Sequence, residues 1–152
     1  AVSQMCTNDY LNAAESAKMA SLMYNKKGIE APYPLILSYF CYALINDKGN
    51  MNEVLAYIQS FNFSRIWPYP IIEFIKGDIG ATVLISHIQS EKQEIEVHTY
   101  IGLKLRLDKQ FHESEMHLDW VRDSDKSNVL ETLIAKHTPR YSEANISLLF
   151  HY

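Results

Sequence analysis

The residues with the most chemistry in this 152-residue chain fall in the run His112-Glu113-Ser114-Glu115-Met116-His117. Two histidines beside a glutamate invite comparison with H-E-x-x-H, in which histidines four apart share one helical face and hold zinc. Here the spacing is five. At the helical repeat that turns the two rings apart by about 140°, so one ion cannot easily meet both. Glu113 and His117 are four apart, and His98 lies on the preceding predicted helix. A weak adventitious site is the most this group offers. Its expected role is a solvated helix face, with no metal and no cofactor.

Other reaction chemistries find less. Gly77-Asp78-Ile79-Gly80 lacks the lysine and spacing of a phosphate-binding loop. No Gly-x-Ser-x-Gly elbow occurs. Cys6 and Cys41 are the two cysteines, too few for a disulfide framework or a zinc cluster. Two free thiols are expected, with Cys41 buried in a helix and Cys6 near a mobile end. A bond between them would require the first two helices to pack together. The compartment stays open between periplasm and cytoplasm. No residue is expected to be catalytic, and the chain reads as a non-enzyme.

Charge narrows the partner. The net charge is -4 and the pI near 5.8, so no basic face for nucleic acid is expected. Hydrophobic residues make up 47% of the chain, enough for a core and too many for disorder. Ten Tyr, six Phe and two Trp exceed what a small helical core needs. Tyr33, Tyr39, Tyr42, Tyr57, Trp67, Tyr69, Tyr100 and Trp120 stand out. Two roles compete for them, packing between helices and lining a groove. Tyr39, Tyr42, Trp67, Tyr69 and Tyr100 are the expected partner-binding set, because amphipathic aromatics serve as binding anchors.

The elements that would position these residues are helices. Asn8–Lys27 is alanine-rich and stops at Gly28. Leu35–Asn46 is apolar nearly all round, and Met51–Phe61 carries one apolar stripe. Tyr69–Lys76 starts behind prolines and closes at Gly77-Asp78; Ala81–Gln89 follows. The best-marked unit is Glu94–Val121, two helices turned by Asp108-Lys109-Gln110. Gly102 inside its first helix costs about 1 kcal/mol against alanine. Such a glycine implies close approach of a partner helix, with Ser114 the expected opposite contact. Val129–Lys136, capped by Ser127 or Asn128, and a short helix at 142–152 complete the chain. Helix starts near Leu35, Tyr69, Glu94 and Ser127 are spaced by about 34, 25 and 33 residues, against a tetratricopeptide period near 34. No apolar run reaches the roughly 18–20 residues of a transmembrane helix. Ala1 is not a native start residue, so a trimmed or mature form is expected.

The central hairpin resembles a tetratricopeptide repeat. With Gly102 as the small residue of its first helix, Ile101 takes the preceding apolar position. Ser114 takes the small position of the second helix, and Leu118 and Val121 the apolar positions after it. Leu105 stands where an aromatic is usual, and no proline ends the unit at Lys126. A wider stretch, Trp67 through Ile79 and then Glu96-Val97-His98-Thr99-Tyr100-Ile101-Gly102, is similar to the C-terminal part of bacterial tetratricopeptide lipoproteins of the NlpI kind. The resemblance implies a helical solenoid that holds other proteins together, often as a dimer, and it carries over no catalytic residues.

The expected fold is therefore all-α, a right-handed superhelix of stacked antiparallel hairpins in one domain, residues 1–152. The hairpins would span about 8–46, 51–76, 81–107 and 110–136. The expected function is a scaffold or adaptor that binds a protein or peptide on a concave, aromatic-lined surface. The rival is a small-ligand sensor domain with an apolar pocket between helices.

Overall fold

Alanines set the first contact. Tyr10–Lys26 (α2) buries Ala13, Ala14 and Ala17, and side chains this small let α3, Pro32–Leu44, lie close. Ser38 Oγ on α3 donates to the Ala14 carbonyl at 3.1 Å. Tyr42 Oη donates to Glu15 Oε1 at 2.7 Å. The computed structural model describes residues 1–61, 64–124 and 130–141. Among them it holds α1 (Val2–Cys6), α2, α3, α4 (Lys48–Ser60), α5 (Tyr69–Lys76), α6 (Ala81–Ser86), α7 (Glu91–Leu107), α8 (Phe111–Arg122) and α9 (Leu130–His137), and no strand. The fold is all-α over these residues.

Two helices sit at the centre. The continuous apolar run predicted for α3 buries every residue from Leu35 to Tyr42. It packs against α2, α4, α5 and α7. In turn α7 meets α3, α5, α6, α8 and α9. Phe40 and Tyr100 join the two, their rings stacked at 5.5 Å. A smaller apolar cluster, Ile95, Leu118, Val121 and Ala135, ties α7, α8 and α9.

The α7–α8 hairpin matches its sequence reading closely. Gly102 is buried, and a Cβ added there would lie 2.8 Å from Leu118 Cγ. Lys109 takes a positive φ of 61° in the turn. Tyr69–Lys76 has the predicted bounds, closed by Gly77 at φ 83°.

Other bounds shift for local reasons. Helix α4 begins at Lys48, not Met51, because Asp47 accepts from the Asn50 backbone N–H at 3.1 Å and caps it. Helix α7 begins at Glu91 because Ser90 caps it through the Gln93 N–H at 3.3 Å. The expected Ala81–Gln89 helix stops at Ser86. Helix α1 has no counterpart in the sequence reading; its five residues are too few to show a period. It buries Met5 and packs against both α2 and α9. The first and last described helices therefore touch. The cap at Ser127 or Asn128, Val129 and the helix expected at 142–152 lie outside the described residues. No helix among the described residues is long and apolar enough to cross a membrane.

Candidate functional site

Glu96 organises the site. It sits on α7 one turn before Tyr100 and is 1% exposed. A buried carboxylate is tolerated only when hydrogen-bonded or paired. Tyr33 Oη, from the first turn of α3, donates to Glu96 Oε2 at 3.0 Å. Trp67 Nε1, from the segment ahead of α5, donates to the same oxygen at 2.5 Å. Lys92 Nζ lies 3.7 Å from Oε1 and is largely exposed. Burial, and next the Glu96 charge, raise the Tyr33 pKa, so its hydroxyl stays a donor.

Tyr33 and Trp67 then form walls of a cleft of about 360 Å³. Tyr69, Ile72, Ile66 and Glu30 complete most of its lining. Tyr69 is half-buried, and Ile66 is 71% exposed, so the cleft continues into an apolar outer surface. Glu30 is fixed across the chain to Ser64, accepting from its backbone N–H at 3.2 Å and its Oγ at 2.9 Å. The volume falls within the range of ligand sites, about 300–1,000 Å³.

The five aromatics singled out from sequence separate. Trp67 and Tyr69 line the cleft. Tyr42 and Tyr100 are core residues, 0% and 2% exposed, and the reading of them as groove anchors is corrected accordingly. Tyr42 bonds Glu15, and Tyr100 Oη donates to the buried Glu131 Oε1 at 2.9 Å. Tyr39, 4% exposed, edges a separate recess of about 200 Å³ between α3 and α7. Glu96, Glu131 and Glu30 were missed. Glu96 and Tyr100 are four apart on the buried stripe of α7, and a carboxylate on an apolar stripe was the available signal.

The histidines do not regroup as the H-E-x-x-H comparison would need. His112 and Glu113 are exposed. His117 instead meets His98, Nδ1 to Nδ1 at 2.9 Å, while His98 stacks on Trp120 at 4.3 Å. Among the described residues no three His, Cys, Asp or Glu side chains could hold a metal ion together. Cys6 and Cys41 are both free, and burial pushes the Cys41 thiol up to about 12. Comparison with protein-family models, curated proteins and solved structures gives no match in any of the three.

Proposed function

We propose that this chain is a non-enzymatic binding module that seats an extended segment of a protein partner in the Trp67 cleft. One observation carries the reading. The aromatic walls Tyr33 and Trp67 are both held by the buried Glu96, so the cleft is built before any ligand arrives. Preorganised aromatic side chains give contact area at low entropic cost. The exposed Ile66 at the edge of the lining favours a segment that runs past the cleft over a small molecule enclosed within it.

The finer architecture, stacked tetratricopeptide-like hairpins, belongs to this proposal as well. The close α7–α8 approach at Gly102 supports it. The contact between α1 and α9 departs from the neighbour-only packing of an open solenoid.

Panning of a random-peptide display library on the folded chain tests the reading. Enriched peptides should bind the parent and lose about tenfold or more in affinity to Tyr69→Ala, as expected of an anchor. Lys104→Ala, at the separate recess, should leave affinity unchanged. Enriched peptides that bind both variants alike, or the absence of any enrichment, would remove the cleft as the binding site.

A further inference from the structure

We propose that the cleft takes a basic side chain of that segment, arginine or lysine, seated among Tyr33, Trp67 and Tyr69 with its charge at Glu30. The inference rests on the cleft being the binding site, and it adds the chemistry that would be read there. Among the described residues Glu30 is the one charged member of the lining, which also includes Pro32, Ser64 and Pro68. Its two carboxylate oxygens accept from Ser64, and among the described residues no cation pairs with it. Hydrogen bonds from a serine leave its negative charge in place. A carboxylate pair can accept more bonds than these, since each oxygen carries two lone pairs.

A second negative charge stands behind the walls. Glu96 lies on the far side of the Tyr33 hydroxyl and the Trp67 indole N–H. Both polar edges are turned to that carboxylate and are spent on it. What remains of the two rings is aromatic carbon, and a cation that meets a ring face is attracted electrostatically. Among the described residues no lysine, arginine or histidine lines the cleft. An incoming cation therefore meets the Glu30 carboxylate and three aromatic rings, while Glu96 behind the walls already has the exposed Lys92 Nζ 3.7 Å from its Oε1. An anionic segment would meet repulsion, and a purely apolar one would leave Glu30 facing it unpaired. Arginine suits the site best, because its planar guanidinium both stacks on rings and forks onto a carboxylate.

The test titrates N-acetyl-arginine methylamide, and its neutral isostere N-acetyl-citrulline methylamide, into the 15N-labelled chain. The Trp67 indole N–H and the Tyr69 amide report, with Trp120→Phe used to assign the indole signal. The arginine derivative should shift both signals saturably and bind about tenfold tighter than the citrulline derivative. Glu30→Gln keeps an acceptor for Ser64 and removes the charge. It should cut the arginine preference several-fold while the melting temperature holds. Equal binding of both derivatives, or an unchanged preference in Glu30→Gln, would overturn the cation assignment and leave the cleft a binding site. The same conclusion follows if neither derivative shifts the cleft but a panned peptide does. If no ligand of either kind touches the cleft, the binding-site reading fails, and this inference with it.

Discussion

Ser114 Oγ donates to the Gly102 carbonyl oxygen at 2.8 Å, across the seam between α7 and α8. Both residues are buried. The bond exists because neither residue holds the helices apart: one has no side chain and the other a single hydroxyl. Leu118 then fills the space where a Gly102 side chain would go. Gly102→Leu sets two effects against each other. Leucine is the better helix former by nearly 1 kcal/mol. Overpacking a tight contact costs about 1–3 kcal/mol or more, and Leu118, 0% exposed, has nowhere to yield. A net loss of stability in urea unfolding is expected. A variant as stable as its parent would mean that the seam is looser than described.

The His98–His117 pair makes stability depend on mild acid. A bond between two Nδ1 atoms needs one N–H and one lone pair. It survives one protonation and fails at two. Burial lowers both pKa values below 6.5, and for His117 the His98 charge adds to this. The folded chain thus binds protons less readily than the unfolded one. The contribution is fully present above pH 6.5 and is lost as the pH falls through the folded values. Denaturant midpoints should drop from about pH 7 to about pH 5. Replacing both histidines with leucine should flatten that slope. Because Glu131 acts in the opposite sense, the comparison decides: the same pH slope in the double-leucine variant as in the parent would contradict the pairing.

Sequence and structure agree where one residue type leaves little choice. The glycine at 102 has an interfacial reason, and Gly77 closes α5 at positive φ. Eight consecutive buried residues, Leu35 to Tyr42, follow from a run apolar on every side. What sequence hid was tertiary. Whether Tyr42 and Tyr100 lie in a groove or a core depends on which helix covers them, and helical period does not say. Glu96 stands out as a carboxylate on an apolar stripe, but the donors that meet it, Tyr33 and Trp67, and the Tyr100 hydroxyl that meets Glu131, are brought there only across the fold. The contact of α1 with α9 joins the two ends of the described chain, which no local pattern reports.

Arg122 fastens α9 to α8. Its Nε donates to the Ala135 carbonyl and its Nη2 to the Thr138 carbonyl, each at 2.9 Å. Its Nη1 donates to Glu115 at 2.7 Å and to Asp119 at 2.8 Å. The side chain is only 7% exposed. Removing one partner from a buried pair costs about 3–5 kcal/mol, because a charge is left behind. Arg106 still reaches Glu115 at 2.9 Å, so Arg122→Ala should fall at the low end, about 3 kcal/mol. Arg122→Lys should recover only part of this, since an ammonium cannot serve two carbonyls and two carboxylates in one plane. Equal melting of Arg122→Ala and its parent would show that the clamp adds nothing.

Cys41 should be chemically silent in the folded chain. The thiolate is the reactive form, and burial pushes this thiol up to about 12. Iodoacetamide at about pH 8 should leave Cys41 unmodified in the native state and alkylate it in denaturant. Peptide mass mapping reads the site directly. Rapid native labelling of Cys41 would place it outside the core.

Glu131 supplies the opposite pH dependence to the histidines. It is 2% exposed, and among the described residues its side-chain hydrogen-bond partner is the Tyr100 hydroxyl. Burial raises its pKa above 4.5, and the neighbouring Glu96 charge adds to the rise, against opposing effects from its own backbone N–H first, then from Tyr100 and Lys92. The folded chain therefore holds this proton more tightly than the unfolded one. The resulting stabilisation is complete below pH 4.5 and is lost as the pH rises through the raised folded value. Glu131→Gln keeps an oxygen to accept from Tyr100 and can never carry the buried charge. It should melt above the parent at about pH 8, with the difference shrinking toward about pH 4. Tyr100→Phe offers the converse. It strips the carboxylate of its donor and should melt lower, by the roughly 1–3 kcal/mol of an unsatisfied buried group. If Glu131→Gln melts below the parent at about pH 8, the donated bond from Tyr100 outweighs the penalty of burial.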